Sequence, residues 1–329
     1  MLNVALMYGG YSGERDISIK SADMIAKNID KNIYNVYLID VQKDKWLCKD
    51  SNNNEVELLL NDFSANFNNQ KINFDVAFII IHGTPGENGL LEGYLEMKNI
   101  PHTTCSASVS MLTFNKYYCK SIVNDSKLVS LAPSVYFPFP LPYKDVIDKI
   151  KHLNFPLFIK PANSGSSVGL SKIYNINELD AALQLAWKYD KEILIEQGIK
   201  GRELTCGVFG YNDNIIALPV TEVISKKDFF DYEAKYTPGM SDEITPADIS
   251  KDLSDFIQST SKNLYKYLSC FGVVRFDYIW DGKELFFLEV NTIPGMSEAS
   301  IVPVQAKIAG YSLSQLINML IENALNRKF

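Results

Sequence analysis

Apolar residues in the first third of the chain occur in short runs that alternate with stretches of helical spacing. The runs are flanked by polar or turn residues and predict strands at Asn3–Met7, Val36–Val41 and Val76–Ile81. After the first run, apolar residues recur near helical spacing at Ile17, Met24, Ile25 and Ile29. Strands that alternate with helices predict a mostly parallel α/β sheet with its active loops at the carboxyl ends of the strands.

The middle of the chain continues this alternation from about Lys116 onward. The strands predicted there are Ser134–Phe137, Leu157–Lys160, Ser171–Tyr174 and Ile193–Gln197. The helices predicted around them are Tyr117–Val123, Tyr143–Leu153 and Ile176–Tyr189.

The last third combines strands and helices in a pattern typical of an α+β arrangement. Its predicted strands are Glu203–Phe209, Ile215–Val223, Val273–Trp280 and Leu285–Val290. Its predicted helices are Ile249–Leu268, Pro303–Ala309 and Leu313–Leu325. At about 150 residues per domain, a chain of 329 residues makes two or three domains. We expect boundaries near Asn115 and Gln197, which divide the chain into 1–115, 116–197 and 198–329.

Composition and charge narrow the functional classes. Hydrophobic residues make up 47% of the chain, and a net charge of −7 is spread along it. A dispersed acidic charge disfavours a nucleic-acid or anionic-membrane surface. The N-terminal segment has no basic leader, and no apolar run approaches the about 20 residues of a membrane helix. We therefore expect a soluble, cytoplasmic protein that binds neither nucleic acid nor membrane.

Cysteine usage points to a reducing compartment. The cysteines are scattered without a Cys-x-x-Cys pair, at Cys48, Cys105, Cys119, Cys206 and Cys270. Their odd number and spacing predict reduced thiols, not a disulfide framework or a structural zinc site. The Asn- and Lys-rich stretch from Asp50 to Lys71 is typical of a solvated excursion without a site.

The strongest local motif is IKPANSGSSVG, from Ile159 to Gly169. An apolar strand delivers Lys160 and then opens into small residues, whose backbone N–H groups can converge on an anion beside the lysine charge. The motif lacks the GxxxxGK[ST] pattern and is not a Walker A loop. Phosphate binding is one interpretation, and an ordinary glycine–serine loop is the alternative.

A second motif is RFDYIWDGKELFFLEVNTIPGM, which begins at Arg275. Arg275 and Asp277 are two residues apart on one predicted strand, as are Glu289 and Asn291 on the next, so each pair shares a face. The oxygen ligands Asp277, Glu289 and Asn291 suit a magnesium ion that also keeps waters and phosphate oxygens. The alternative is a solvated face of an antiparallel hairpin, although charges between apolar neighbours need a partner.

A shared metal site constrains the turn of this hairpin. The Asp-Gly pair at 281–282 favours a two-residue type I′ turn, which would leave Glu289 on the face opposite Asp277. A common face requires an odd number of loop residues or a β-bulge. We expect a three-residue loop from Asp281 to Lys283, with positive φ at Gly282 or Lys283.

Two weaker motifs add a candidate lid and a candidate histidine. FFDYEAKY, from Phe229 to Tyr236, resembles a mobile lid that brings a cation over phosphates, and surface-loop packing is its alternative. His82 stands at a strand end in HGTPGENG, where a hydrogen-bonded structural role is the alternative to a site role. No GxSxG elbow is present, so covalent acyl-enzyme catalysis has little support.

Taken in order, these segments resemble the D-alanine–D-alanine ligases of the ATP-grasp superfamily. The resemblance runs nearly end to end, through GGYSGERDIS, HGTPGENG, IKPANSGSSVG, ILIEQGIKGRE, FFDYEAKY, VVRFDYIW and LEVNTIPGMSEASIVP. It implies a three-domain ATP-grasp fold with a mostly parallel N-terminal α/β domain and ATP between the central and C-terminal domains. It also implies that two D-alanine molecules are joined for peptidoglycan synthesis, with ATP, two Mg²⁺ or Mn²⁺ ions and a homodimeric enzyme.

The resemblance assigns nucleotide and metal ligands. The implied nucleotide-binding residues are Lys116, Lys160 and Lys235 at the phosphates, Ser166 in the loop, Glu196, Gln197 and Ile199 at the adenine, and Glu203 at the ribose. The implied metal ligands are Asp277, Glu289 and Asn291. This chain departs from the family at Gln197 and Gly198, which replace a lysine and an aromatic residue, and at Asn163-Ser164, which replaces a charged pair.

The resemblance assigns substrate residues as well. Glu14 matches the acid that holds the first D-alanine's ammonium group, and it forms an implied hydrogen-bonded trio with Ser166 and Tyr236. The remaining implied residues are Arg275 and the Gly295 backbone at the tetrahedral intermediate, Ser300 at the second carboxylate, and His82 and Ile301 beside the substrates. Ile301 stands where leucine is usual, a near-isosteric change that we expect to be tolerated.

Three other interpretations fit less well. A D-alanine–D-lactate ligase is the nearest, but in that branch the lid tyrosine is replaced, whereas Tyr236 is present here. A non-catalytic nucleotide-binding or scaffold protein would have lost some of the lysines or acids. A dinucleotide oxidoreductase, suggested by Gly9-Gly10 after the first strand, lacks the GxGxxG fingerprint.

Overall fold

The computed structural model describes residues 1–225 and 241–327. The predicted lid from Phe229 to Tyr236, which contains Lys235, lies outside the described residues. Within the described residues, no helix is long and apolar enough to cross a membrane. The five cysteines are free, which agrees with the predicted reduced thiols, and all of them are buried.

The N-terminal part is built on a mostly parallel sheet. Its elements are β1 (Leu2–Gly9), α1 (Arg15–Asn28), β2 (Tyr34–Val41), β3 (Trp46–Lys49), β4 (Glu55–Glu57), β5 (Ser64–Phe67), β6 (Gln70–Asn73), β7 (Val76–Ile79), α2 (Leu90–Met97) and α3 (Ala107–Phe114). The strand order is β4-β3-β2-β1-β7, in which β1 runs parallel to β2 and β7 while β3 and β4 are antiparallel. The buried apolar runs of β1 and β7 place the loops that follow them at one edge.

The stretch from Asp50 to Lys71 is mostly exposed and does not line the large cavity of the protein, as expected, but it also forms strands and supplies core residues. It contributes β4, pairs β5 with β6, and buries Leu58, Phe63 and Ala65 in the N-terminal core. The buried residues are interspersed with polar residues and with the exposed leucines Leu59 and Leu60, so periodicity did not reveal them.

The middle part is an antiparallel sheet backed by helices. Its elements are α4 (Lys116–Ser126), β8 (Ser134–Phe137), α5 (Tyr143–Ile150), β9 (Leu157–Pro161), β10 (Ser171–Ile173), a 3₁₀ turn (Ile176–Glu178), α6 (Leu179–Tyr189) and β11 (Ile193–Gln197). The strand order is β10-β9-β11-β8. Leu157, Ile159 and Ile195 pack on the helices, so the alternating residues Phe158 and Lys160 lie on the other face.

The last part is a second antiparallel sheet. Its described elements are β12 (Arg202–Tyr211), β13 (Asn214–Ala217), β14 (Thr221–Ser225), β15 (Ser241–Ile244), α7 (Lys251–Tyr267), β16 (Val273–Trp280), β17 (Leu285–Asn291), α8 (Ile301–Ile308) and α9 (Leu313–Leu325). The strands follow the order β15-β14-β12-β16-β17, with β13 on β12. The single strand predicted at Ile215–Val223 is wrong, because Pro219 cannot donate to a ladder and divides it into β13 and β14.

The C-terminal helix α9 packs in the core of the N-terminal part. Leu316, Leu320 and Ile321 of α9 lie in the same core cluster as the buried residues of β1 and β7. The predicted boundaries near residues 115 and 197 stay a prediction.

Candidate active site

A cavity of about 1150 Å³ opens where the three sheets meet. Every site residue predicted from the sequence within residues 1–225 and 241–327 lines this cavity. The loops after β1 and β7, the glycine–serine loop after β9, and the ends of β12, β16 and β17 all reach it. Residues distant in sequence therefore converge on one site.

One wall joins the loop after β1 to the glycine–serine loop. The Ser166 hydroxyl donates a hydrogen bond to the Glu14 carboxylate, so two members of the predicted trio are in contact. A Cβ on Gly165 would lie 2.7 Å from Glu14 Oε2, so a larger residue at this position would displace the Glu14 carboxylate. Ser166 and Ser167 adopt positive φ angles of 47° and 59°, a backbone state that persists where the surroundings enforce it.

His82 is a buried residue of the same wall. Its Nδ1–H donates to the Ile293 carbonyl at 2.8 Å, and its Nε2 lies 3.4 Å from Ser21 Oγ. Burial lowers the pKa of His82, against the opposing effect of the Glu14 charge. The imidazole is therefore neutral and hydrogen-bonded while it lines the cavity.

Glu87 is a cavity residue that was not predicted from the sequence. Its carboxylate accepts hydrogen bonds from Gly83 N at 2.7 Å and from Ile293 N at 3.4 Å. Burial, together with the nearby Glu14 charge, raises the pKa of Glu87 to about 8. Its position in HGTPGENG, five residues after His82, was the available indication.

A buried charge cluster stands where the lysines are predicted. Glu196 of β11 forms ion pairs with Lys160 of β9 and with Lys120 of α4. Burial raises the pKa of Glu196, but the two lysine charges outweigh it and hold this pKa at about 2. Lys120 was not predicted, although it lies one helical turn from Lys116.

Lys116 is fixed at the start of α4. Asn115 caps the helix by accepting from the backbone N–H groups of Tyr117 and Tyr118, each at 3.1 Å. The Lys116 ammonium group donates to the Ser164 carbonyl of the glycine–serine loop. The cap therefore places Lys116 beside the glycine–serine loop, which follows Lys160 in the chain.

The segment from Glu196 to Ile199 forms the far wall. The Gln197 amide oxygen accepts from Asn154 N at 2.9 Å, which ties this side chain to the loop before β9. A Cβ on Gly198 would lie 3.1 Å from Phe158 Cε2, so the Phe158 ring lies close to where a side chain at position 198 would begin. Phe158 also carries Lys172 over its ring at 5.6 Å, and both residues line the cavity.

The hairpin of β16 and β17 brings the predicted metal ligands together. Asp277 pairs directly with Glu289, so both lie on one face. The expected three-residue loop is wrong, because Trp280 pairs with Leu285 and Asp281 N donates to Glu284 O at 3.3 Å. The alternative, a bulge, is confirmed between Asp277 and Tyr278.

Asp277 is the centre of a hydrogen-bonded group. Arg275 donates from Nε and Nη2 to its two oxygens, each at 2.8 Å. Thr205 Oγ1 donates at 2.6 Å and Asn291 Nδ2 at 2.8 Å. Burial lowers the pKa of Arg275, but the charge and hydrogen bonds of Asp277 outweigh it and hold this pKa above its ordinary value. The arginine is therefore permanently charged.

The residues on this face fit a divalent cation of the hard type. Among the described residues, no group of three His, Cys, Asp or Glu side chains is placed to hold a metal. Asp277 and Glu289 supply two carboxylates, and the amide oxygen of Asn291 can be the third ligand because its nitrogen bonds to Asp277. A site with only three protein ligands is typical of magnesium, which completes its coordination shell with water and phosphate oxygens.

The loop between β17 and α8 supplies the last wall. Ser300 is the N-cap residue of α8, and its Oγ lies 2.7 Å from Ser297 Oγ. A Cβ on Gly295 would lie 2.8 Å from Ser300 Oγ, so glycine allows this loop to fold tightly. Ile301, the first residue of α8, follows Ser300 into the cavity.

The fold and the cavity define an ATP-grasp ligase, with lysines and acids gathered between two antiparallel sheets. Family models for the N-terminus and the C-terminus of D-Ala–D-Ala ligases match residues 3–105 and 142–322. The chain belongs to the D-alanine–D-alanine ligase family. This family implies ATP and a divalent metal.

Individual relatives are similar in sequence to this chain over nearly its full length. A D-alanine–D-alanine ligase of Azobacteroides pseudotrichonymphae is 43% identical, across 98% of this chain and 100% of the relative. A ligase of the same name from Flavobacterium johnsoniae is 42% identical, across 99% and 100%.

Solved structures agree in fold. A D-Ala:D-Ser ligase from Enterococcus faecalis superposes with a TM-score of 0.88 at 31% identity, covering 98% of this chain and 99% of that one. A D-alanyl-alanine synthetase A from Vibrio cholerae has a TM-score of 0.88 at 25% identity, with 99% of each chain covered.

Proposed function

We propose that this chain joins two D-alanine molecules in an ATP-dependent reaction that passes through D-alanyl phosphate and releases ADP and phosphate. The observation that carries the proposal is the single cavity that gathers Glu14, Lys160, Arg275 and Glu289 from separate parts of the chain. A carboxylate is a poor electrophile at neutral pH, so phosphoryl transfer is needed before an amine can attack it. The protein contributes mainly positioning and charge neutralisation.

Lys116, Lys160 and Lys235 neutralise the phosphates in this proposal. Lys116 and Lys160 enter the cavity beside the glycine–serine loop, whose backbone N–H groups suit an anion. Glu196, Gln197 and Ile199 offer main-chain groups to the adenine, and Glu203 offers its carboxylate to the ribose. Ser166 belongs to both the loop and the substrate wall.

Asp277, Glu289 and Asn291 are the proposed ligands for two Mg²⁺ ions, with Mn²⁺ as a substitute. Bound ions would neutralise phosphate charge and polarise the transferred group as Lewis acids. Both oxygens of Asp277 already accept hydrogen bonds, from Thr205, Arg275 and Asn291. Arg275 is the partner best suited to yield, because it can transfer its N–H groups to an anionic substrate.

The amino acids occupy the opposite end. Glu14, held by Ser166 and closed over by Tyr236, binds the first ammonium group. Ser300 grips the second carboxylate, while His82 and Ile301 shape the surrounding wall. The oxyanion of the tetrahedral intermediate is stabilised by Arg275 and the Gly295 backbone N–H; one such donor is typically worth about 3–4 kcal/mol.

The family supports further features of the proposal. The enzyme is expected to be a cytoplasmic homodimer that supplies the dipeptide for peptidoglycan. Its domains are proposed as 1–115, 116–197 and 198–329.

The decisive experiment is phosphate release from ATP with D-alanine, L-alanine, D-lactate or D-serine supplied in turn. D-alanine alone should support turnover and yield the dipeptide. D-lactate or D-serine, each added together with D-alanine, tests a depsipeptide or D-Ala:D-Ser product. Release that requires L-alanine, or that is independent of any amino acid, would contradict the proposed function.

A further inference from the structure

The Glu196 carboxylate holds two ammonium groups, one on each oxygen. Lys120 of α4 pairs with Oε1, and Lys160 of β9 pairs with Oε2. Exposure of the Glu196 and Lys120 side chains is only 5% and 6%, whereas that of Lys160 is 14%. The cluster therefore carries one more positive charge than negative charge in a largely buried place.

The two lysines differ in their access to the nucleotide. Lys160 lines the cavity beside Ser164 and Gly165, whereas Lys120 is not among the described residues that line it. A lysine side chain is a flexible point charge and can exchange one anion for another. Lys160 can thus turn toward phosphate, while Lys120 stays with the carboxylate.

The second cation changes what this exchange costs. If Lys160 were the sole partner of Glu196, its departure would leave a buried carboxylate without a counter-charge, which is strongly unfavourable. With Lys120 in place, the carboxylate keeps a counter-charge after Lys160 leaves. The remaining Lys120–Glu196 pair is neutral overall.

We propose that Lys120 is a positioning residue that keeps Glu196 paired, so that Lys160 is free to move from Glu196 to the nucleotide phosphates. This inference rests on the proposed function, in which Lys160 is a phosphate ligand. It predicts that Lys120 affects nucleotide binding without touching the nucleotide. The effect should depend on the charge of Glu196.

The test compares wild type, Lys120→Met, Glu196→Gln and the double variant. Binding of the non-hydrolysable analogue AMP-PNP with Mg²⁺ is measured by calorimetry, and the KM values for ATP and D-alanine are measured separately. Lys120→Met should weaken AMP-PNP binding about tenfold or more, equivalent to about 1.4 kcal/mol. The KM for D-alanine should stay within about twofold.

Restoration is the distinguishing result. In the double variant no carboxylate remains to retain Lys160, so AMP-PNP binding should return to within about threefold of wild type. Lys120→Arg, which keeps the charge, should bind better than Lys120→Met. Lys127→Met, an exposed change just beyond α4, is the matched control and should bind as wild type does.

Three results would overturn the inference. The first is that Lys120→Met binds AMP-PNP as tightly as wild type does. The second is that Lys120→Met and the double variant bind it equally weakly. The third is that Lys120→Met raises the KM values for ATP and D-alanine in parallel. If Lys120→Met does not fold, Lys120→Gln takes its place, because it removes the charge but keeps a hydrogen-bond donor for Glu196; it should likewise weaken AMP-PNP binding about tenfold. Failure of the proposed function is separate, because wild type would then show no D-alanine-dependent phosphate release.

Discussion

Asp277 lies directly opposite Glu289 across β16 and β17 because Leu288 is an additional residue between two paired positions. Tyr278 pairs with Phe287, and the next pair is Asp277 with Glu289. Without this bulge the ladder would pair Asp277 with Leu288 and turn Glu289 to the other face. The bulge is thus the feature that makes a two-carboxylate site.

We expect Glu289→Gln to raise the Mg²⁺ concentration needed for half-maximal turnover, because it removes one of the two carboxylate charges. Turnover at fixed Mg²⁺ should fall by at least the about 10–100-fold typical of outer-shell changes at metal sites. Phosphate release across a Mg²⁺ titration checks this, together with Mn²⁺ binding measured by electron paramagnetic resonance. Glu284→Gln, in the exposed turn of the same hairpin, is the control, and an equal effect in both variants contradicts the assigned site.

We expect Lys160→Ala to lower turnover by about 10²–10³-fold, as removal of one strong electrostatic group typically does. The melting temperature should change little, because Glu196 keeps its ion pair with Lys120. Lys235→Ala should cause a similar loss of turnover. Phosphate release and thermal unfolding are measured on both variants, and near wild-type activity in both would refute the phosphate-binding roles proposed for these lysines.

Tyr236→Phe should change product choice. If its hydroxyl closes the trio with Glu14 and Ser166, its loss loosens the lid and weakens the bias toward an amine nucleophile. With D-alanine and D-lactate both present, the depsipeptide share should rise relative to wild type. Chromatography of the products over a range of pH measures the ratio, and an unchanged ratio throughout means that Tyr236 has another role.

His102 should make the protein less stable as the pH falls. Burial, aided by the Arg327 charge, lowers the pKa of His102 from 6.5 to about 3, although Glu96 Oε1 lies 3.6 Å from Nε2. Below about pH 6.5 the His102 side chain is protonated in the unfolded chain but stays neutral in the folded protein. The free energy of unfolding therefore declines by up to about 1.4 kcal/mol per pH unit until the folded pKa is reached.

Urea unfolding at pH 7 and pH 5 tests this. The His102→Asn variant should lose less stability between the two pH values than wild type does. His152→Asn, at an exposed histidine, controls for the substitution. An equal decline in wild type and His102→Asn would show that another group is responsible.

Some features of the site depend only on residues that are close together in the sequence, and these could be predicted from it. The spacing of Arg275 and Asp277, and of Glu289 and Asn291, placed each pair on one face because side chains alternate along a strand. The IKPANSGSSVG motif likewise placed Lys160 at a strand end before a tight loop. These features depend only on neighbours in the chain.

Other features were decided by tertiary structure. The bulge at Leu288 follows from packing and pairing along the whole hairpin, whereas the Asp-Gly sequence alone suggested a different turn. The burial of Phe63 and Leu58 depends on an N-terminal core to which distant α9 contributes.

The Lys120–Glu196–Lys160 cluster shows the same division most clearly. The sequence alone determined that Lys160 ends a strand before the glycine–serine loop and that Lys120 follows Lys116 by one helical turn. Only the tertiary structure decided that both ammonium groups meet one carboxylate, since α4, β9 and β11 are brought together by sheet pairing and helix packing. Burial then makes that meeting energetically important, because a charge removed from water requires a partner at short range.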